Sequence, residues 1–185
     1  MIQSTLVEGV VKAQKGHRDA WGDVYRELSP SVYRLCRRVL PTQEDAEDAT
    51  MEIFLKAQIR LDQYDPERPF KAWLYRVAAN HCWDLLRQRR GKGQTGTGDT
   101  EISRLETKDP DPQQVLLDRQ SHQQVREALS KLEDRARLAI TLRYYAELSY
   151  EEIAEALGVN TSFVGVLLLR ARHKMRRWLT EEATS

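Results

Sequence analysis

Apolar and polar positions in this chain recur mostly at spacings of three and four, the period of amphipathic helices, and strand-like alternation is nearly absent. Ala46, Ile53, Phe54, Ala57 and Leu61 fall on one face and predict a helix over about 42–63. Thr42, with Asp45 three residues on, reads as its capping box, with Asp in the place usually held by Glu or Gln. Asp65-Pro66-Glu67-Arg68-Pro69 reads as a loop, and a second long helix runs from Pro69 or Phe70 to about Arg90. Its core face is Phe70, Leu74, Val77, Ala78 and Leu85, with His81 on the packed side.

Further on, amphipathic helices are predicted over 114–131 and 133–145. Ser149 and Glu152 then form a capping box for a short helix carrying Ile153, Ala154 and Leu157. Gly158 ends it where a left-handed residue is needed, and Asn160 or Thr161 caps a last helix reaching about Thr180. Two helices joined by Gly158-Val159-Asn160 have the length and chemistry of a helix-turn-helix, and the small Ala154 lets them cross closely. In the second, Val164, Leu168, Ala171, Met175 and Leu179 form the packed row.

Residues 91–112 break the pattern. They read GKGQTGTGDTEISRLETKDPDP, with glycines at the start, prolines at the end and few bulky apolar side chains between. This is a linker by composition; as a coil it would span roughly 25 Å, and extended up to about 70 Å. The predicted fold is therefore all-α: two small helical domains, 1–90 and 113–185, joined by a flexible linker, the second a helix-turn-helix.

With 185 residues, 41% hydrophobic and 31% charged, the chain suits a helix-rich globular protein. A net charge of +1 argues against strong non-specific nucleic-acid binding by the free protein. Cys36 and Cys82 form no disulfide framework, and no Cys/His spacing resembles a zinc site, which fits a reducing cytoplasm. The N-terminus has no signal-peptide pattern, and no apolar run approaches a membrane span. No phosphate loop, metal spacing or nucleophile–base motif points to an enzyme, and no cofactor or metal is expected.

Three constellations carry chemistry. On the helix after Pro69, Trp73, Arg76, Asn80, Trp83 and Arg87 share one edge, with Asp84 beside them. Aromatic rings stack on unpaired bases, guanidiniums hold phosphates and an amide pairs with a base edge. The alternative is that Trp73 packs on a neighbouring helix and Asp84 pairs with Arg87. On the 42–63 helix, Met51 and Leu55 lie off the core face among Glu44, Asp48 and Glu52. Apolar groups rimmed by carboxylates fit docking to a basic protein face, or are ordinary exposed residues. The last helix carries Arg170, Arg172, Lys174, Arg176 and Arg177 with no acid before Glu181, the disposition of a helix whose N-terminal end enters the major groove.

These segments resemble a known family. Asp45–Ala57 is similar to the core-polymerase-binding helix of bacterial sigma factors. Phe70-Lys71-Ala72-Trp73-Leu74-Tyr75-Arg76-Val77-Ala78, then Asn80 and Asp84-Leu85-Leu86-Arg87, resembles their promoter-melting and −10-recognition helix. Leu148-Ser149-Tyr150-Glu151-Glu152-Ile153-Ala154, with Leu157-Gly158-Val159 and Arg170-Ala171-Arg172, resembles their −35-binding helix-turn-helix. With two domains only, the resemblance is to the extracytoplasmic-function (ECF) group of the sigma-70 superfamily.

The resemblance implies a cytoplasmic, non-enzymatic factor that directs core RNA polymerase to promoters. Asp48, Met51, Glu52 and Leu55 would grip the β′ clamp helices, and the helix-turn-helix domain would meet the β flap. Tyr64, Arg68, Trp73, Arg76, Asn80, Trp83, Asp84 and Arg87 would capture single-stranded −10 bases. Thr161, Ser162, Phe163, Arg170, Arg172 and Lys174 would bind the −35 duplex. An anti-sigma factor would be the regulator.

At the start of the last helix the chain has Ser162-Phe163-Val164-Gly165-Val166-Leu167 where the family often carries Gly-Thr-Val-Lys-Ser-Arg. Direct readout there would rest on Thr161, Ser162, Arg170 and backbone fit. Thymine-methyl contacts, shape readout, or a polymerase or anti-sigma contact through Val166 and Leu167 stay open. The rival reading is a helix-turn-helix regulator that acts without polymerase; it leaves the Trp/Arg/Asn edge unexplained.

Overall fold

A computed structural model describes residues 2–91 and 123–182, and no strand occurs among them. In chain order the helices are α1 (Ile2–Gln14), α2 (Arg18–Val39), α3 (Gln43–Ile59), a 3-10 turn (Leu61–Gln63), α4 (Phe70–Gly91), α5 (123–130), α6 (Asp134–Tyr144), α7 (Tyr150–Leu157) and α8 (Thr161–Glu182). Apart from Gly91, which closes α4, the residues read as a linker lie outside the described residues.

No helix is predicted before Thr42, yet both α1 and α2 form there. In α2, Val24, Leu28, Val32, Leu35, Cys36 and Val39 are all buried at helical spacing. Pro30 stands inside this helix, where proline removes a backbone donor and crowds the preceding turn, so Ser29-Pro30-Ser31 reads locally as a break. Burial of six apolar side chains, each worth roughly 1.5–3 kcal/mol, outweighs a proline penalty of about 3 kcal/mol.

α3 begins as predicted, with the Thr42 hydroxyl accepting from the Asp45 amide at 3.1 Å. It ends at Ile59, four residues before Gln63, because the chain tightens into the 3-10 turn. Gln14 of α1 fixes that turn by donating to the carbonyls of Leu61 (2.8 Å) and Tyr64 (3.0 Å).

α4 is buried on more sides than the predicted stripe. Phe70, Leu74, Val77 and Ala78 are in the core, and so are Tyr75, Ala79, Cys82 and Leu86, whereas Leu85 is only half-buried. Cys36 of α2 and Cys82 of α4 are both fully buried, their Sγ atoms 3.8 Å apart, and neither is in a disulfide. The hydrogen bond with Cys36, and burial after it, push the Cys82 thiol well above its ordinary pKa.

The extra burial of α4 has a plain cause: α6 and α7 pack on the side that α2 and α3 leave open. One apolar cluster therefore runs from Val10 and Leu35 through Tyr75 to Leu138, Ile153 and Leu168.

α7 and α8 are set at 99° to each other. α7 opens with the complete Ser149–Glu152 capping box. Gly158 closes it at φ 62°, ψ 42°, a left-handed conformation that costs a residue with a Cβ roughly 1–2 kcal/mol. Asn160 then caps α8, its side-chain oxygen accepting from the Phe163 amide at 2.8 Å. Among the described residues no single helix is long and apolar enough to cross a membrane.

Candidate functional site

The aromatic and basic edge of α4 exists as a surface, but its residues differ in environment. Asn80, Asp84 and Arg87 face solvent, whereas Trp73, Arg76 and Trp83 are half-buried. Trp73 leans on Phe70 (centroids 5.4 Å apart) and on Tyr64 (5.5 Å), so it both packs and borders the open edge.

Tyr64 sits differently from the residues it was grouped with. It is 3% exposed, and its hydroxyl donates to the Arg68 carbonyl at 2.6 Å. Burial, with Asp65 nearby, raises its pKa. In this conformation Tyr64 offers no ring to a base. It holds the 64–69 loop in shape and supports Trp73 from behind, while Arg68, exposed at the tip, lies 3.7 Å from the Asp65 carboxylate. Position along the loop could not distinguish these two residues, because burial here depends on α1 and Phe70.

The half-buried members of the edge face the helix-turn-helix region. Arg76 Nη1 donates to Glu155 Oε2 of α7 at 2.7 Å. The Arg135 guanidinium of α6 lies over the Trp83 ring, 4.6 Å from its centroid. Beyond them, Arg90 Nε donates to Asp134 Oδ2 at 2.8 Å. Tyr145, after α6, is received by α2: its hydroxyl donates to the Ser31 carbonyl and accepts from Arg34 Nε, both at 3.0 Å, and Arg38 stacks on its ring at 4.2 Å. An open cleft of about 220 Å³ remains in the seam, with Arg68, Trp73 and Arg76 on one wall and Glu151, Glu152 and Glu155 on the other. Those carboxylates stand where cations of a strand-binding edge would meet phosphates.

On α3, Met51 is 53% and Leu55 59% exposed, beside exposed Asp48 and Glu52. Ile59, 79% exposed, extends the strip by one more turn, since 51, 55 and 59 follow the four-residue repeat of a helix face. The four-residue spacing alone could have found it.

Behind this strip His81 is buried, as expected from its side of α4. Lys56 Nζ lies 2.7 Å from its Nδ1, and the Glu52 carboxylate 3.5 Å from its Nε2. Burial, reinforced by the Lys56 charge, lowers the His81 pKa.

On α8, Thr161, Ser162, Phe163, Arg170, Arg172 and Lys174 are all exposed. Leu167 is not available as a contact; it is 9% exposed and belongs to the core. The exposed apolar residues are instead Phe163, Val166 and Leu169. Leu169 turns outward because the packed row runs through Val164, Leu168 and Ala171.

Residues 24–92 match the family model for sigma-70 region 2, and residues 122–175 match that for sigma-70 region 4. The chain is 30% identical over 186 residues to the ECF RNA polymerase sigma factor SigW of Bacillus subtilis, covering 97% of this chain and 100% of that protein. It is 30% identical over 178 residues to the ECF RNA polymerase sigma-E factor of Escherichia coli, covering 93% and 91% of the two chains. Among solved structures, CnrH of Cupriavidus metallidurans, in complex with the cytosolic domain of CnrY, superposes with a TM-score of 0.65 at 26% identity, covering 96% of this chain and 98% of that one.

Proposed function

The chain belongs to the ECF group of the sigma-70 family and directs core RNA polymerase to promoters; from that premise we propose how its surfaces divide the work. Asp48, Met51, Glu52 and Leu55, extended by Ile59, dock on the β′ clamp helices. The α4 edge, with Trp73, Arg76, Asn80, Trp83, Asp84 and Arg87 flanked by Arg68, captures the single-stranded −10 segment. α8 enters the −35 duplex while its region meets the β flap. The working units are the −10 module over about 1–90 and the −35 module over about 113–185. The factor supplies binding and no catalytic group, and acts in the cytoplasm beside the polymerase.

The observation that carries this reading is the α4 edge. A helix-turn-helix regulator acting alone has no use for two indoles, an amide and two guanidiniums aligned opposite a packed core. Family matches over both regions favour the polymerase-dependent reading for the same reason.

Magnitudes limit what the edge does. Separating a base-pair step costs about 1.4 kcal/mol, so a bubble of about a dozen pairs costs on the order of 15 kcal/mol. Each stacked base returns roughly 1–3 kcal/mol. Two or three captured bases therefore nucleate a bubble that the polymerase completes.

A regulator fits the same surfaces. The solved structure of the relative CnrH holds it in complex with the cytosolic domain of CnrY. An anti-sigma factor for this chain would cover the α3 strip or hold the seam closed.

The test is reconstitution. The chain added to core polymerase should give discrete start sites on genomic fragments where core alone gives none. Footprints or melting by the chain without polymerase would overturn the reading in favour of an autonomous regulator.

A further inference from the structure

The outward face of α8 changes chemistry half-way along. Ser162, Val166, Leu169, His173 and Arg176 follow one another at spacings of four, three, four and three, and so stand in one row. Val166 is 40% and Leu169 63% exposed, with Phe163, 38% exposed, on the flank. Gly165 beside Val166 is half-buried, and a Cβ there would meet the Tyr150 ring of α7 at 3.8 Å, so the outer face at this point is set by Val166 and Leu169. Past Leu169 the exposed surface turns basic through Arg170, Arg172, Lys174 and Arg176.

Charge and geometry together select the occupant. The basic half calls for a polyanion, and the apolar half calls for non-polar groups within that same polyanion. A DNA major groove offers both, because thymine C5-methyl groups line its floor between two rows of phosphates. Val166 and Leu169 are about 4.5 Å apart along the helix axis, close to the roughly 3.4 Å between successive bases on a strand. Arg170 and Arg176, further along the helix, are placed to reach its wall.

We propose that Val166 and Leu169, with Phe163 beside them, read thymine methyl groups in the −35 duplex, so that this chain specifies its −35 element by apolar contact more than by arginine–guanine hydrogen bonds. The proposal rests on the reading of α8 as the −35 helix and adds the chemistry of its readout.

The test uses holoenzyme assembled from the full chain and core polymerase, on a promoter located by its start site. Thymines of the −35 element are replaced by deoxyuridine, which removes the methyl and leaves pairing intact. Binding should weaken about fourfold per contacted thymine, the equivalent of about 0.8 kcal/mol for one buried methyl. Deoxyuridine in the spacer should have no effect. The Val166→Ser, Leu169→Ser double variant should bind thymine DNA more weakly and no longer distinguish uracil; both side chains are exposed, so its fold, checked by circular dichroism, should be unchanged. Equal binding of thymine and uracil −35 DNA overturns the proposal, and so does a methyl effect that survives in the double variant. A double variant that reads DNA like the parent but loses a protein partner assigns the row to that partner and overturns it too. Absence of any promoter-specific start site would instead strike the sigma-factor reading, and the same reactions separate the two failures.

Discussion

Arg76 and Glu155, 79 residues apart in sequence, meet at 2.7 Å across the seam between α4 and α7. The arginine side chain is 19% exposed and the carboxylate 70%. The same guanidinium lies on the edge proposed to hold the −10 strand, so it cannot serve both partners at once. Trp83, under Arg135, is in the same position. On the proposed reading, strand capture requires α6 and α7 to part from α4.

This relationship yields a charge-swap prediction. Glu155→Arg places two guanidiniums together and should shift the chain toward a more extended form, read as a larger radius of gyration in X-ray scattering. With its carboxylate largely exposed, the pair is worth about 0.2–1 kcal/mol, so its loss alone should shift the population by about fivefold at most, and less at high salt. Adding Arg76→Glu should restore the compact form without restoring promoter opening, because the cation needed by DNA is then gone. A radius unchanged by Glu155→Arg would mean that the remaining seam contacts, of Tyr145, of Arg90 with Asp134 and of Arg135 with Trp83, hold it without this ion pair.

The α3 strip gives a prediction about docking. Met51→Glu or Leu55→Glu changes a side chain that is more than half exposed, so the melting temperature should move little. Affinity for core polymerase should fall tenfold or more, the usual consequence of losing an apolar anchor worth above about 1 kcal/mol and adding a carboxylate. Ile59→Glu measures how far the interface extends. Retained core affinity in all three variants, by titration of labelled chain, would remove the strip from the interface.

Asn80 is a cleaner probe of the −10 edge than Trp73. Trp73→Ala would remove a ring packed on Phe70 and Tyr64, and would cost about 2 kcal/mol of stability before any effect on DNA. Asn80 is exposed and has no such packing to lose. Asn80→Ala should slow open-complex formation about tenfold, measured by permanganate reactivity of −10 thymines, while core binding stays within twofold. Equal loss in both assays would indicate a general defect and count against the edge.

Legibility in the sequence followed locality. The Ser149–Glu152 box, Gly158 and the packed row of α8 are decided by neighbours a few residues away, and each was readable. The Met51/Leu55 strip was readable for the same reason, up to the unforeseen end of the helix at Ile59. The burial of Tyr64 was not, because it is made by α1 and Phe70. Nor was the coverage of Arg76 and Trp83, which depends on Glu155 and Arg135 beyond the segment read as a linker. α2 was obscured by Pro30, whose local meaning is a break and whose tertiary setting overrides it. Leu167 and Leu169 are both leucines on one helix; only the packing against α6 and α7 decides that the first is core and the second surface.

His81 supplies a pH prediction whose sign follows from its surroundings. It is buried on α4 facing Lys56 and Glu52 of α3, with Asp84 on its own helix. Desolvation and the Lys56 charge depress its pKa below the ordinary 6.5, and the two carboxylates offset this only in part. Lys56 can donate to Nδ1 only while the ring is neutral there, so the folded state holds the neutral imidazole. The unfolded chain takes up the proton below about pH 6.5, and the folded chain does not until the lower value is reached. Between those values the unfolded state binds more protons, so stability falls as pH falls, with a slope of at most about 1.4 kcal/mol per pH unit. Above pH 6.5 the contribution is flat. Urea midpoints measured from pH 7.5 down to 5.5 should decline in the parent, and His81→Leu should flatten that decline, whatever it does to the baseline at pH 7.5. A decline of the same steepness in His81→Leu would remove His81 as its source.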